Sequence, residues 1–131
     1  MTGLDTNVLV RYIMQDDPTQ SAKATKLMEA LTLNEPGFVS LVSIVELVWV
    51  LTKSYGLSRG QVSQALELLL RTKEIVLDRA EHVAKALRLY SASSADFADC
   101  LIEKISSGFG CQRTMTFDSH AARLAGMTLI E

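Results

Sequence analysis

Short β-type runs alternate along this chain with longer runs of helical spacing, and that alternation constrains the fold more than any other feature. The β-type runs are MTGLD (1–5), FVSLV (38–42), EIVLD (74–78), TMTF (114–117) and TLIE (128–131). Each but the last is followed by helix, the pattern of an α/β domain with a largely parallel sheet of four or five strands. TNVLVRYIM after Asp5 reads as helix, with Val8, Leu9, Tyr12 and Ile13 on one face, and QDDP ends it because Pro18 disfavours helix in the residue before it. A second helix is expected over about 19–33, with a turn at 34–37. A third starts near Ser43 and stops at Gly56, and a fourth starts at Leu57-Ser58 with Val62, Ala65, Leu66 and Leu69 on one face. Helices at 80–91 and about 95–107, then a short one from Asp118, complete the expected order.

At 131 residues, with 48% hydrophobic residues and only two prolines, the chain has the size and composition of one globular domain covering 1–131. No leader-like segment opens it and no apolar run approaches the roughly 18 residues of a membrane span, so the expected address is cytoplasmic. Cys100 and Cys111 lack metal-ligand spacing and are expected as reduced, packed thiols. Thirteen Lys and Arg against fifteen Asp and Glu give a formal charge of −2, which excludes nucleic-acid binding by a strong overall field. Contact with nucleic acid would then be local or bridged by a metal ion.

Within Ile44–Leu51, the most apolar run and the one holding the only tryptophan, Trp49, the sole polar side chain is Glu46. A carboxylate there is costly to bury unless something pairs with it. Ser43 three residues earlier offers one partner scheme, a capping box in which Glu46 reaches back to a backbone N–H. Asp5 follows the first strand and Asp118 the fourth, where open sheets gather their ligands, so Asp5, Glu46 and Asp118 are expected at one sheet edge. Asp99, in ADFADCLIEK, falls beside the apolar face of Ala98, Leu101, Ile102 and Ile105, with Asp96 one turn back. Taken singly, Asp5 and Asp118 are ordinary helix N-caps and Asp99 a boundary carboxylate. Taken together, with few cations nearby in sequence, the acids fit a bound cation that relieves their mutual repulsion. Oxygen-only donors favour a hard ion, Mg2+ or Mn2+, over zinc.

Other chemistries find little support. His82 and His120 lack Cys or His partners at ligand spacing and read as surface or capping residues. GFG at 108–110 lacks the further glycine and the lysine of a phosphate loop. An Asp after the first strand also suits a haloacid-dehalogenase-like phosphatase, but the second Asp that family needs is Asn7 here.

LDTNVLVRY, SIVELVWVL, ADFADCLIEK and TMTFD resemble, in order and approximate spacing, the four acidic motifs of PIN domains, in particular those of VapC-like toxins. The resemblance covers essentially the whole chain. It implies a three-layer α/β/α domain that acts as a Mg2+- or Mn2+-dependent endoribonuclease, forms a homodimer and is inhibited by a cognate antitoxin. On it, Asp5, Glu46, Asp99 and Asp118 are the catalytic, metal-binding acids. Thr116 is the hydroxyl residue two places before the last of them, and Thr6 is the small polar residue after the first. Alignment of DCLIEK with the family's usual Asp-Ala-Leu-Ile-Ala-Ala selects Asp99 and leaves Asp96 a supporting role, while Glu103 and Lys104, in place of the Ala-Ala, are expected to project toward solvent or RNA. Arg11, Lys53, Arg59, Lys104 and Arg113 are candidate phosphate contacts, and the apolar helices offer surfaces for a dimer partner or an antitoxin helix. A PIN-fold module that binds without catalysis is the non-enzymatic alternative.

Overall fold

The computed structural model describes all residues, 1–131, and the chain folds into two compact units, Met1–Asp78 and Arg79–Glu131. The first unit is built on three parallel strands in the order β1 (Thr2–Gly3), β2 (Gly37–Val39) and β3 (Ile75–Leu77). Thr2 pairs with Gly37, and Gly37 with Ile75. Parallel neighbours need long crossovers, and helices supply them. Between β1 and β2 lie α1 (Thr6–Met14) and α2 (Pro18–Ala30). Between β2 and β3 lie α3 (Leu41–Trp49), a π-helical turn (Val50–Ser54) and α4 (Arg59–Arg71).

The caps set these helices. Asp17 precedes Pro18, the residue type preferred at a first helical position, and its carboxylate accepts from the amides of Thr19 and Gln20. Ser58 and Gln61 form a reciprocal capping box on α4. Leu9, Val39, Ile44, Leu47, Leu51, Val62 and Leu66 are wholly buried. At Gly37 a Cβ would sit within 3 Å of the Leu4 and Leu31 side chains, so the strand lies closer to its neighbours than a larger residue allows.

Glycine also permits the exit from the π-helical turn. Gly56 has φ +64 and Leu57 N–H donates to the Leu51 carbonyl, which ends the helix where the sequence places its stop.

The start of α3 differs from the expectation. It begins at Leu41, not near Ser43, because Ser40 is the N-cap, its hydroxyl accepting from Ser43 N–H at 3.2 Å. The Asp78 carboxylate accepts from Leu41 N–H at 3.3 Å. The strand read as FVSLV therefore stops at Val39, and the Ser43–Glu46 capping box does not form.

In the second unit α5 (Ala80–Ala92) packs on α6 (Phe97–Gly108), and Tyr90 meets Phe97 edge to face at 5.7 Å. Two short strands, β4 (Met115–Thr116) and β5 (Thr128–Leu129), pair in parallel across α7 (Ser119–Leu124). Five strands, all paired in parallel, are thus present in hydrogen-bonded groups of three and two.

Two small expectations fail here. Cys100 is buried and outside any disulfide, as expected, but Cys111 is exposed. His82 is half-buried rather than fully at the surface: its ring lies against Gly108, where a Cβ would clash with it, and Nδ1 is buried without a hydrogen-bond partner.

Candidate active site

Asp5 stands between β1 and α1 as the N-cap of the helix, with extended backbone and its Oδ1 accepting from Thr6 N–H at 2.8 Å. The capping role and a ligand role are compatible, since one oxygen serves the helix and the carboxylate remains exposed. Thr6 is the reverse. It is only 3% exposed and its hydroxyl has no hydrogen-bond partner.

Glu46 lies on the outer face of α3, not inside the apolar run. With 3.6 residues per turn, Val42, Glu46 and Trp49 share one stripe, and all three are exposed, Val42 by 78% and Trp49 by 60%. The opposite stripe, Ser43, Ile44, Leu47 and Val48, is the buried one. Glu46 therefore bears no large burial cost, which removes the reason to expect a partner inside the core. Leu41, Val42, Val45, Glu46 and Trp49 line a shallow, mainly apolar hollow of about 540 Å3.

In the second unit Asp96 is the N-cap of α6, and its Oδ2 accepts from Asp99 N–H at 3.1 Å. Asp99 itself is half-buried on the first turn. Burial, and then the charges of Asp96 and Asp118, push its carboxyl above the ordinary carboxylate value. Asp118 is the N-cap of α7, with Oδ1 accepting from His120 and Ala121 amides, and its own N–H donates to the Thr116 hydroxyl at 3.0 Å. In the second unit the charges of Asp96 and Asp118 thus both reach Asp99, while in the first unit no hydrogen bond or ion pair joins Asp5 to Glu46. None of these five acids forms an ion pair, and within neither unit do three acid, His or Cys side chains close on a point as a finished metal cage. These are oxygen donors without cationic neutralisation, one of them held at a raised pKa by burial first and like charge second, a donor type that suits a hard divalent cation.

The candidate phosphate contacts separate by environment. Lys53 and Arg113 are exposed. Arg59 is half-buried on the first turn of α4. Arg11 is engaged: Nε donates to Gln20 at 2.7 Å, and Nη1 to Asp16 and to Tyr55, both at 3.3 Å. Lys104 pairs with Glu103 at 3.5 Å, and both are half-buried, so this dipeptide does not project freely into solvent. The sequence reading passed over Asn7, Gln20 and Lys23, which join Arg11 around a cavity in the first unit. Their spacing, 7 and 11 on one helix and 20, 23, 24 and 27 on the next, was the available signal. It also passed over Asp78, whose carboxylate serves the start of α3.

The chain belongs to the PIN domain family, which it matches over residues 4–127. Its α/β class and parallel strands are those expected of it. Among individual proteins it is similar to a VapC ribonuclease of Aquifex aeolicus (strain VF5), with 24% identity over 129 residues, covering 98% of this chain and 96% of that one. No solved structure gives a significant match. No helix is long and apolar enough to cross a membrane.

Proposed function

We propose that the chain is the toxin of a toxin–antitoxin pair, a metal-dependent endoribonuclease that cleaves RNA phosphodiester bonds and is inhibited by its cognate antitoxin. The observation that carries this reading, within a family that includes the VapC relative, is the half-buried Asp99 carboxylate. Asp96 and Asp118 repel it and no cation neutralises it. Asp5 and Glu46 of the first unit and Asp99 and Asp118 of the second are the catalytic acids and would hold Mg2+ or Mn2+. Bound there, the ion supplies Lewis acidity at the scissile phosphate and stabilises charge on the leaving oxygen.

The chain's own groups do the positioning. Asp96 holds the first turn of α6, and with it Asp99, by capping. Thr116 fixes Asp118 by accepting its N–H. Glu46 either adds a ligand or orients the attacking water by accepting its hydrogen bond. The Thr6 hydroxyl is the remaining polar group beside Asp5.

On this reading residues 1–131 act as a single nuclease domain, in the cytoplasm. The working form is a homodimer, and exposed apolar side chains such as Val42 and Trp49 are area that a second copy or the antitoxin would cover.

Purified protein should cleave RNA in Mn2+ or Mg2+, and calorimetric titration should show Mn2+ binding that Asp99→Asn abolishes together with cleavage. Cleavage by Asp99→Asn at the parent's rate would make the assignment wrong, and absence of Mn2+ binding by the parent would leave the non-catalytic binding module.

A further inference from the structure

Helices α1 and α2 of the first unit line an open hollow of about 300 Å3, at the small end of the ligand-site range of about 300–1,000 Å3. Its apolar lining is Val8, Ala24 and Leu27. Its rim is polar and carries two cations, Lys23 and Arg11, with the amides of Asn7 and Gln20. No carboxylate lines it, in a chain whose net charge is −2.

The polar lining keeps some groups available to a ligand. Lys23 is exposed and forms no ion pair. Gln20 uses its carbonyl oxygen to accept from Arg11 Nε, which leaves its NH2 available as a donor. Arg11 commits Nε and Nη1 to Gln20, Asp16 and Tyr55, so the guanidinium is held in place while Nη2 stays uncommitted. Asn7 is exposed on the first turn of α1, two residues from Asp5.

From this we infer that the α1–α2 cavity is a subsite for one unpaired nucleotide of the RNA, next to the position of cleavage. The inference rests on the nuclease reading above, because adjacency to Asp5 is what makes the nucleotide a neighbour of the scissile phosphate. The base lies on Val8, Ala24 and Leu27. Its edge meets the Asn7 and Gln20 amides, which offer both donors and acceptors, and its phosphate meets Lys23 and the free edge of Arg11. A hollow of this size fits one splayed-out base, so the nucleotide it takes is an unpaired one. Lys23, the lining cation without an ion pair, favours an anionic occupant over an acid-free apolar peptide.

The test is fluorescence anisotropy with a labelled single-stranded RNA oligonucleotide in EDTA, so that binding is read without catalysis, for the parent, Lys23→Ala and the control Lys26→Ala. Lys26 is exposed on the same helix and does not line the cavity. Lys23→Ala should weaken binding about tenfold, the loss of one charge-assisted contact. It should also reduce the slope of log K against log salt by about 0.7, the share of one phosphate contact on a single strand. A merely structural lysine would not change that slope. Lys26→Ala should bind as the parent does, and an RNA duplex of the same sequence should be insensitive to Lys23→Ala. Equal affinity and slope for the parent and Lys23→Ala, or no binding by the parent at low ionic strength, would overturn the subsite and leave the cavity to a protein partner. Lys23-dependent binding by a parent that cleaves no RNA in Mn2+ would uphold the subsite for single strands and remove the nuclease reading instead.

Discussion

The carboxylate of Asp96 accepts a hydrogen bond from the backbone N–H of Asp99 at 3.1 Å, so two acids one turn apart on α6 are bound to different tasks. Asp96 satisfies an otherwise orphaned amide at the helix start, whereas the Asp99 carboxylate is half-buried, raised in pKa and unpaired. Asp96→Ala should destabilise the protein by about 1 kcal/mol, the usual worth of an N-cap. Asp99→Asn should leave stability unchanged or raise it, because like-charge repulsion is relieved, while metal-dependent RNA cleavage is lost. Urea denaturation and a cleavage assay on both variants check the pair, and a destabilised Asp99→Asn that still cleaves would contradict it.

Glu46→Gln should separate activity from stability in the same direction. The side chain is exposed on the outer stripe of α3, and substitutions at such positions stay within about 0.5 kcal/mol. As a ligand or water-orienting group it should nevertheless cost about 100-fold in cleavage rate. A thermal melt coinciding with the parent's, next to a rate assay, is the measurement. An unchanged rate would remove Glu46 from the site.

Thr6 makes a sharper case because its hydroxyl is buried and unpartnered. Thr6→Val keeps the shape and removes an unsatisfied polar group, whose presence costs about 1–3 kcal/mol. The variant should be more stable than the parent by about 1 kcal/mol and less active, if the hydroxyl serves the site beside Asp5. A less stable Thr6→Val would show that the hydroxyl has a partner in solution.

Much of this was legible in the chain, and what was not has physical causes. Helix α1 was read to the residue because Asp5 caps it and QDDP stops it. The buried face of α4 was equally plain from Val62, Ala65, Leu66 and Leu69. Helix α3 was harder: Ser40 and Ser43 both offer a cap hydroxyl, and nearly every side chain after them is apolar. Periodicity could not say which stripe faced out, so Glu46 was expected to be costly to bury. Cys111 was misplaced, and the pairing of Lys104 with Glu103 went unseen, for another reason, since that pairing and the exposure of the loop after α6 depend on tertiary packing. At the candidate site, the chain showed the acids but not their neighbours. That Asp118 and Asp96 both act on Asp99 is a property of the folded second unit.

The Tyr55 hydroxyl donates to Asp16 at 2.7 Å, and Arg11 donates to both, which makes a small pH-sensitive clasp in the first unit. The hydrogen bond from Tyr55 is the main cause that holds the Asp16 carboxyl below its ordinary value of 3.8. The same bond raises the Tyr55 phenol above its ordinary 10.0. For Asp16, lowered in the folded state, the stabilisation is present above the unfolded value and is lost as pH falls through the folded one. For Tyr55, raised in the folded state, it is fully present below about 10 and is lost as pH rises through the folded value. The clasp therefore contributes across the neutral range and fades at both ends. Because its groups are partly exposed, solvent screening keeps the effect small. Melting temperature measured against pH should be lower for Tyr55→Phe than for the parent between roughly pH 5 and pH 9, and the two curves should approach each other below pH 3 and above pH 11. Parallel curves across the whole range would show that the clasp does not titrate as the geometry requires.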